Sequence, residues 1–207
     1  MAKRKIPEVL TQEEQDRFLR TFSKRAPTAI RNYAMCRLML DAGLRCGEVL
    51  NLKVNDIDWN TGRVHIKQGK GDKDRIVWLN DDALDALRRW KVKRPVNTEW
   101  LFCTLKGDRL HDRYVRAMVK RKAKQAGIDK NVHPHTLRHS FATDLYRESK
   151  NLRLVQKALG HSSIQTTEIY THIFDEELEN EMKFFRAKKT REGDRSDKHK
   201  KETRDAS

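Results

Sequence analysis

Along almost the whole chain, apolar residues recur at the three-to-four-residue spacing of helices. They switch to strict alternation only once, between Val64 and Leu79. That pattern predicts a mainly α chain (α+β) with a small antiparallel β-sheet near residues 63–79. Thr11-Gln12-Glu13-Glu14 reads as a capping box, with Phe18, Leu19 and Phe22 on the inner face of the helix it opens. A core helix over about Thr28–Asp41 ends at Gly43, and a short helix covers about Gly47–Lys53. Val64 and Ile66 then point one way, Gly69-Lys70-Gly71-Asp72 turns, and Ile76-Val77-Trp78-Leu79 returns. Helical spacing resumes at Asp82–Lys93, stops at Pro95, and returns at Asp112–Ala126 with Gly127 as its cap. From about His135 to Lys189 the pattern is helical with breaks near Asn151 and Gly160. Residues 190–207 have no apolar periodicity and read as a disordered charged tail.

Charge narrows the partner. The 207 residues carry 45 Lys and Arg against 30 Asp and Glu, a net charge of +15, and such an excess points to a polyanion, most often nucleic acid. No apolar run approaches the length of a membrane span, and the basic start is followed by no hydrophobic signal segment, so an intracellular, membrane-free protein is expected. Cys36, Cys46 and Cys103 are odd in number and lack a CxxC spacing, which argues against a disulfide framework or a zinc finger.

A phosphodiester in its transition state is a pentacoordinate dianion, best held by planar Arg forks and by His or Lys donors. Such residues stand at chain breaks here. Arg45 follows the helix-ending Gly43-Leu44, Lys70 tips the two-glycine turn, His135 and Arg138 flank a helix start after Pro134, and His161 follows Gly160. Turns and helix starts leave side chains free to converge on a ligand. Each residue also has a plain structural reading: a helix-end cation, a solvated turn lysine, capping or core histidines, a half-buried tyrosine.

The segments Gly43-Leu44-Arg45-Cys46-Gly47-Glu48, Gly69-Lys70-Gly71, His135-Thr136-Leu137-Arg138-His139-Ser140-Phe141-Ala142-Thr143 and Leu159-Gly160-His161-Ser162, with Thr166-Thr167-Glu168-Ile169-Tyr170-Thr171-His172, closely resemble the tyrosine recombinase (phage integrase, Xer-like) family. The resemblance covers about residues 7–185, in family order, with Tyr170 nine positions after His161. It implies a single catalytic domain over residues 1–189 without the family's usual N-terminal core-binding domain, so that the chain is either a short single-domain recombinase or a fragment. It further implies that Arg45, Arg138, His135 and His161 contact the scissile phosphate. Lys70 would be the general acid, Glu48 a support behind the cluster, and Tyr170 the nucleophile. Cys46 departs from the small aliphatic residue usual there, a packing change.

The implied reaction is site-specific recombination or integration, in which DNA strands are cut and rejoined through a 3′-phosphotyrosyl intermediate. The covalent link conserves the bond energy, so neither ATP nor metal is needed. Two other functions use the same features: type IB topoisomerase-like relaxation, and a silent DNA-binding relic. A metal site on His133, His135 and His139 is disfavoured, because no Glu stands between the histidines and Arg138 repels a cation. Ser140 and Ser162 lack a nucleophile-elbow signature.

Two further features concern partners. Arg113, Arg116, Lys120 and Lys124 form one stripe on the Asp112–Ala126 helix, read as facing double-stranded DNA, with Tyr114 beside it. Phe174, Leu178, Met182 and Phe185 form an apolar face that the resemblance implies docks on a neighbouring protomer, giving self-association on DNA as a tetramer through residues 174–185. A cytoplasmic, nucleoid-associated location follows from these readings.

Overall fold

The computed structural model describes residues 8–67, 74–160 and Met182. In chain order the elements are α1 (Gln12–Arg20), α2 (Pro27–Asp41), α3 (Cys46–Asn51), β1 (Arg63–Ile66), β2 (Arg75–Trp78), α4 (Asp81–Lys93), α5 (Asp112–Gln125), α6 (Pro134–Ser149) and α7 (Leu152–Leu159). β1 and β2 pair antiparallel and make the small sheet that the single switch in periodicity predicts.

The centre of the fold is α2. It buries Ala34, Met35, Cys36, Leu38, Met39 and Leu40 around most of its circumference, as a helix without a polar face must, and it packs against α4 and α6. Phe18 of α1, Trp90 of α4 and Phe102 of the segment after α4 are fully enclosed. The Trp90 indole donates to the Leu101 carbonyl at 2.7 Å, so this large ring is buried with its polar atom satisfied. Truncating it to Ala would cost about 3–5 kcal/mol. All three cysteines are buried free thiols.

The helix starts are chemically specified. Thr11 and Glu14 form the capping box, Asn80 accepts from the Ala83 amide, Asn151 from Leu154, and His133 Nδ1 from Thr136. The break near Asn151 is sharp, with Lys150 in the left-handed region at φ 50°. Pro95 follows the end of α4, and residues 96–111 run without a helix, tied back by Lys53 pairing with Trp100 and Cys103 with Arg109.

One expectation is corrected. Tyr114 does not stand with the basic stripe but turns inward, where its hydroxyl accepts from Arg31 Nη2 at 2.6 Å and Asn32 Nδ2 at 2.9 Å. Arg31 is buried and also donates to the Cys103 carbonyl. A buried cation needs such partners, and Tyr114, on the inner side of α5, supplies one.

Candidate active site

Two turns and one arginine build the site. Gly43 ends α2 at φ +62° and Gly160 ends α7 at φ +65°, both left-handed. A β-carbon on Gly43 would also run into the Phe141 ring. The chain leaves the first glycine toward Arg45 and the second toward His161. Arg138, on the second turn of α6 with its side chain only 5% exposed, reaches both turns. Its Nη1 donates to the Gly43 carbonyl at 2.5 Å and its Nη2 to the Leu159 carbonyl at 2.8 Å.

Glu48 gathers the arginines. It lies three residues into α3, whose N-cap is Arg45, and its Oε2 accepts the Arg45 amide at 2.7 Å, the reach-back half of a capping box. Its Oε1 accepts Arg45 Nη1 at 2.9 Å. Arg75, the first residue of β2, meets the same carboxylate as a two-pronged fork, Nη1 to Oε1 at 2.7 Å and Nη2 to Oε2 at 2.8 Å. Arg138 Nη1 stands 3.7 Å from Oε2. Burial pushes the Glu48 carboxyl up, but the Arg75 hydrogen bonds and charge, the Arg45 amide and the Arg138 charge outweigh it and hold the group below its ordinary value.

Among the described residues, three guanidinium groups meet at one carboxylate within a few ångströms, a cluster in which positive charge predominates. Arg45, with its side chain 33% exposed, is the member open to solvent, whereas Arg75 is 10% exposed. An oxyanion would complement the cluster.

Beside the cluster lies an open groove between α5 and the start of α6, lined by Arg113, Arg116, Lys120, Asn131, His133 and His135. Arg116 is paired with Asp112 one turn back on α5. The His133 and His135 rings are 6.1 Å apart, and His139 continues the row at 6.5 Å from His135. The His135 ring is partly desolvated; this, followed by the charges of His133, Arg116 and Arg138, lowers its pKa against the opposing pull of Asp112. The lowered pKa favours the neutral ring, the form of an imidazole that can accept a proton.

Of the residues read from the sequence, Arg45, Glu48 and Arg138 converge in one cluster, and His135 joins Arg113, Arg116 and Lys120 in the groove next to it. Lys124 is exposed on α5 but does not line that groove. Lys70, His161 and Tyr170 lie outside the described residues, as does all of 174–185 apart from Met182, which is 51% exposed. Arg75 was legible only as strand. Its signal was register: it sits opposite the buried Ile66 and two residues before the buried Val77, so alternation turns an arginine inward, where it must find a carboxylate.

The phage integrase family matches residues 8–177 of the chain. The tyrosine recombinase XerD of Oceanobacillus iheyensis is 40% identical over 177 residues, which cover 82% of this chain and 59% of that protein. The tyrosine recombinase XerC of Thermodesulfovibrio yellowstonii is 36% identical over 180 residues, covering 83% of this chain and 60% of the relative. Among solved structures, that of the XerH site-specific recombinase bound to a palindromic difH substrate, a post-cleavage complex, superposes with a TM-score of 0.74 at 38% identity, covering 86% of this chain and 53% of that one. The chain thus spans little more than half the length of the relatives it matches. With the family matched over residues 8–177 and the helical fold shared with its solved members, the chain belongs to the phage integrase family and carries a tyrosine recombinase catalytic domain.

Proposed function

We propose that this protein is a site-specific DNA recombinase or integrase that cuts and rejoins strands through a 3′-phosphotyrosyl intermediate. The observation that carries the reading is the Arg45–Glu48–Arg75–Arg138 cluster, where three described guanidinium groups gather at one carboxylate and offer the planar cationic donors that a phosphoryl transfer transition state requires. In the forward step the Tyr170 oxygen attacks phosphorus. A phosphorus–oxygen bond to the tyrosine forms, the bond to the 5′ oxygen breaks, and the leaving 5′-hydroxyl takes its proton from Lys70. His135 accepts the tyrosine proton, and Arg45, Arg138 and His161 hold the charge that develops on the phosphate. A partner strand's 5′-hydroxyl then reverses the step.

The substrate of this reading is double-stranded DNA. Arg113, Arg116 and Lys120 in the groove beside His135, with Lys124 further along α5, supply its phosphate contacts. Residues 1–189 act as the catalytic unit and residues 190–207 as a charged tail. Residues 174–185 dock on a neighbouring copy to assemble a tetramer on two sites. Its DNA substrate makes the protein cytoplasmic and nucleoid-associated.

The test is incubation with nicked duplexes carrying sequences recovered from genomic DNA bound by the protein, followed by denaturing electrophoresis. A protein–DNA adduct that survives denaturation, together with joined products from two sites, is expected. DNA binding with no adduct, or relaxation of supercoils without joining of two sites, would overturn the assignment.

A further inference from the structure

Arg75 is not among the residues that the family resemblance brings to the phosphate, yet it holds the carboxylate at which the described cluster meets. Its fork occupies both oxygens of Glu48, the carboxylate that fixes the Arg45 amide and guanidinium and stands 3.7 Å from Arg138. Its stem lies against Gly160. A β-carbon on that glycine would come within 2.7 Å of Arg75 Cδ and 3.0 Å of Nε, so the turn leading into His161 rests on the arginine's aliphatic side. Arg138 holds the preceding carbonyl of the same turn from another direction. Arg75 also opens β2, five residues after Lys70 in the sequence.

We infer that Arg75 is a positioning residue: with Glu48 it sets the places of Arg45 and Arg138 and the path of the turn before His161, and so prepares the site for a phosphate that it does not itself touch. Its side chain is only 10% exposed and both terminal nitrogens donate to Glu48, so its two-pronged end is used to hold that carboxylate. A lysine would keep the charge but lose the two-pronged geometry. Glu48 would then rotate, and Arg45 and Arg138 would drift from the positions where charge develops.

This inference rests on the phosphoryl transfer reading above, and the experiment separates the two. Single-turnover adduct formation is measured at saturating DNA for the wild-type chain, Arg75→Lys and Gly160→Ala, on nicked duplexes whose scissile position is either an ordinary phosphate or a neutral methylphosphonate. Arg75→Lys should slow cleavage of ordinary DNA by about 100-fold while leaving Kd within about twofold. On the methylphosphonate, which gives misplaced arginines no charge to hold, the same variant should lose less than about fivefold. Gly160→Ala, which displaces Arg75 from the other side, should show the same discrimination, and it answers the question if Arg75→Lys does not fold. Equal losses on both substrates, or no loss on either, would overturn the positioning role. A wild-type chain that forms no adduct on ordinary DNA would sink the phosphoryl transfer reading, and the role of Arg75 with it.

Discussion

The arginine cluster and the α5–α6 groove are both cationic, but they are built on opposite principles. In the cluster, Arg75, Arg138 and Glu48 are nearly enclosed, each guanidinium has a fixed acceptor, and one carboxylate orders three cations. In the groove, Arg113, Arg116 and Lys120 stand in solvent, and Arg116 has an acidic partner on its own helix. Buried charge with fixed geometry acts strongly over a short range and is little screened by salt. Exposed charge acts additively and weakens as ionic strength rises. The comparison assigns chemistry to the first region and affinity to the second.

The assignment is broken most directly by Arg138→Ala. Removing that guanidinium strips the donor from the Gly43 and Leu159 carbonyls and a cation from beside Glu48. The variant should lose about 3–5 kcal/mol of stability and at least about 100-fold in adduct formation at saturating DNA. Urea unfolding and single-turnover kinetics measure the two, and an adduct rate near wild type would remove Arg138 from the chemistry.

Glu48→Gln is the next largest, and pH sharpens it. The Glu48 carboxyl is held below its ordinary value of 4.5 in the folded chain, so it contributes stability that is present above that unfolded value and is lost as pH falls through the lower folded one. The gap in unfolding free energy between wild type and Glu48→Gln should therefore be wide at pH 7 and close at pH well below 4.5. A gap independent of pH would mean the carboxylate charge does not organise the cluster.

The groove should respond differently. Neutralising Arg116 and Lys120 together should flatten the slope of log K against log salt by up to about two units, yet leave the adduct rate at saturating DNA within about threefold of wild type. A large fall in that rate with an unchanged salt slope would invert the division of labour.

How far the sequence reveals these two regions follows from what holds each together. The helices were legible because their caps and apolar spacing are local: Thr11 caps the start of α1 as its capping box predicts, and the break read near Asn151 is where that residue caps the start of α7. Arg45, Glu48 and Arg138 were legible through family motifs, and the structure brings them together. Arg75 and the inward turn of Tyr114 were not, because both depend on long-range partners. Glu48 is 27 residues from Arg75, and Arg31 is 83 from Tyr114. Neither a charged strand residue nor a tyrosine on a basic helix announces a buried partner so far away in the chain.

The smallest expected effect lies where the two regions meet. Desolvation first, then His133, Arg116 and Arg138, lower the His135 pKa from 6.5, while Asp112 works against them. Arg116→Gln removes one of the lowering charges and frees Asp112 to act, so the His135 titration followed by NMR should move up. The acid limb of the adduct-formation profile should move with it, because in the proposed mechanism it is the neutral His135 that accepts the proton. A titration that moves down would place Arg116 too far from the ring to matter.

The central claim is covalent chemistry by one named residue. Of the four tyrosines, Tyr146 is buried on α6, Tyr33 packs on the core, and Tyr114 is hydrogen-bonded to Arg31 and Asn32. Tyr170 alone follows the Gly160-His161 pair at the family spacing. The decisive measurement is peptide mapping of the adduct trapped on nicked DNA, alongside a Tyr170→Phe variant. The account predicts that the adduct maps to Tyr170, and that the variant binds DNA with Kd within about twofold of wild type while forming no adduct. Adduct mapped to Tyr33, Tyr114 or Tyr146, or adduct persisting in Tyr170→Phe, would contradict it.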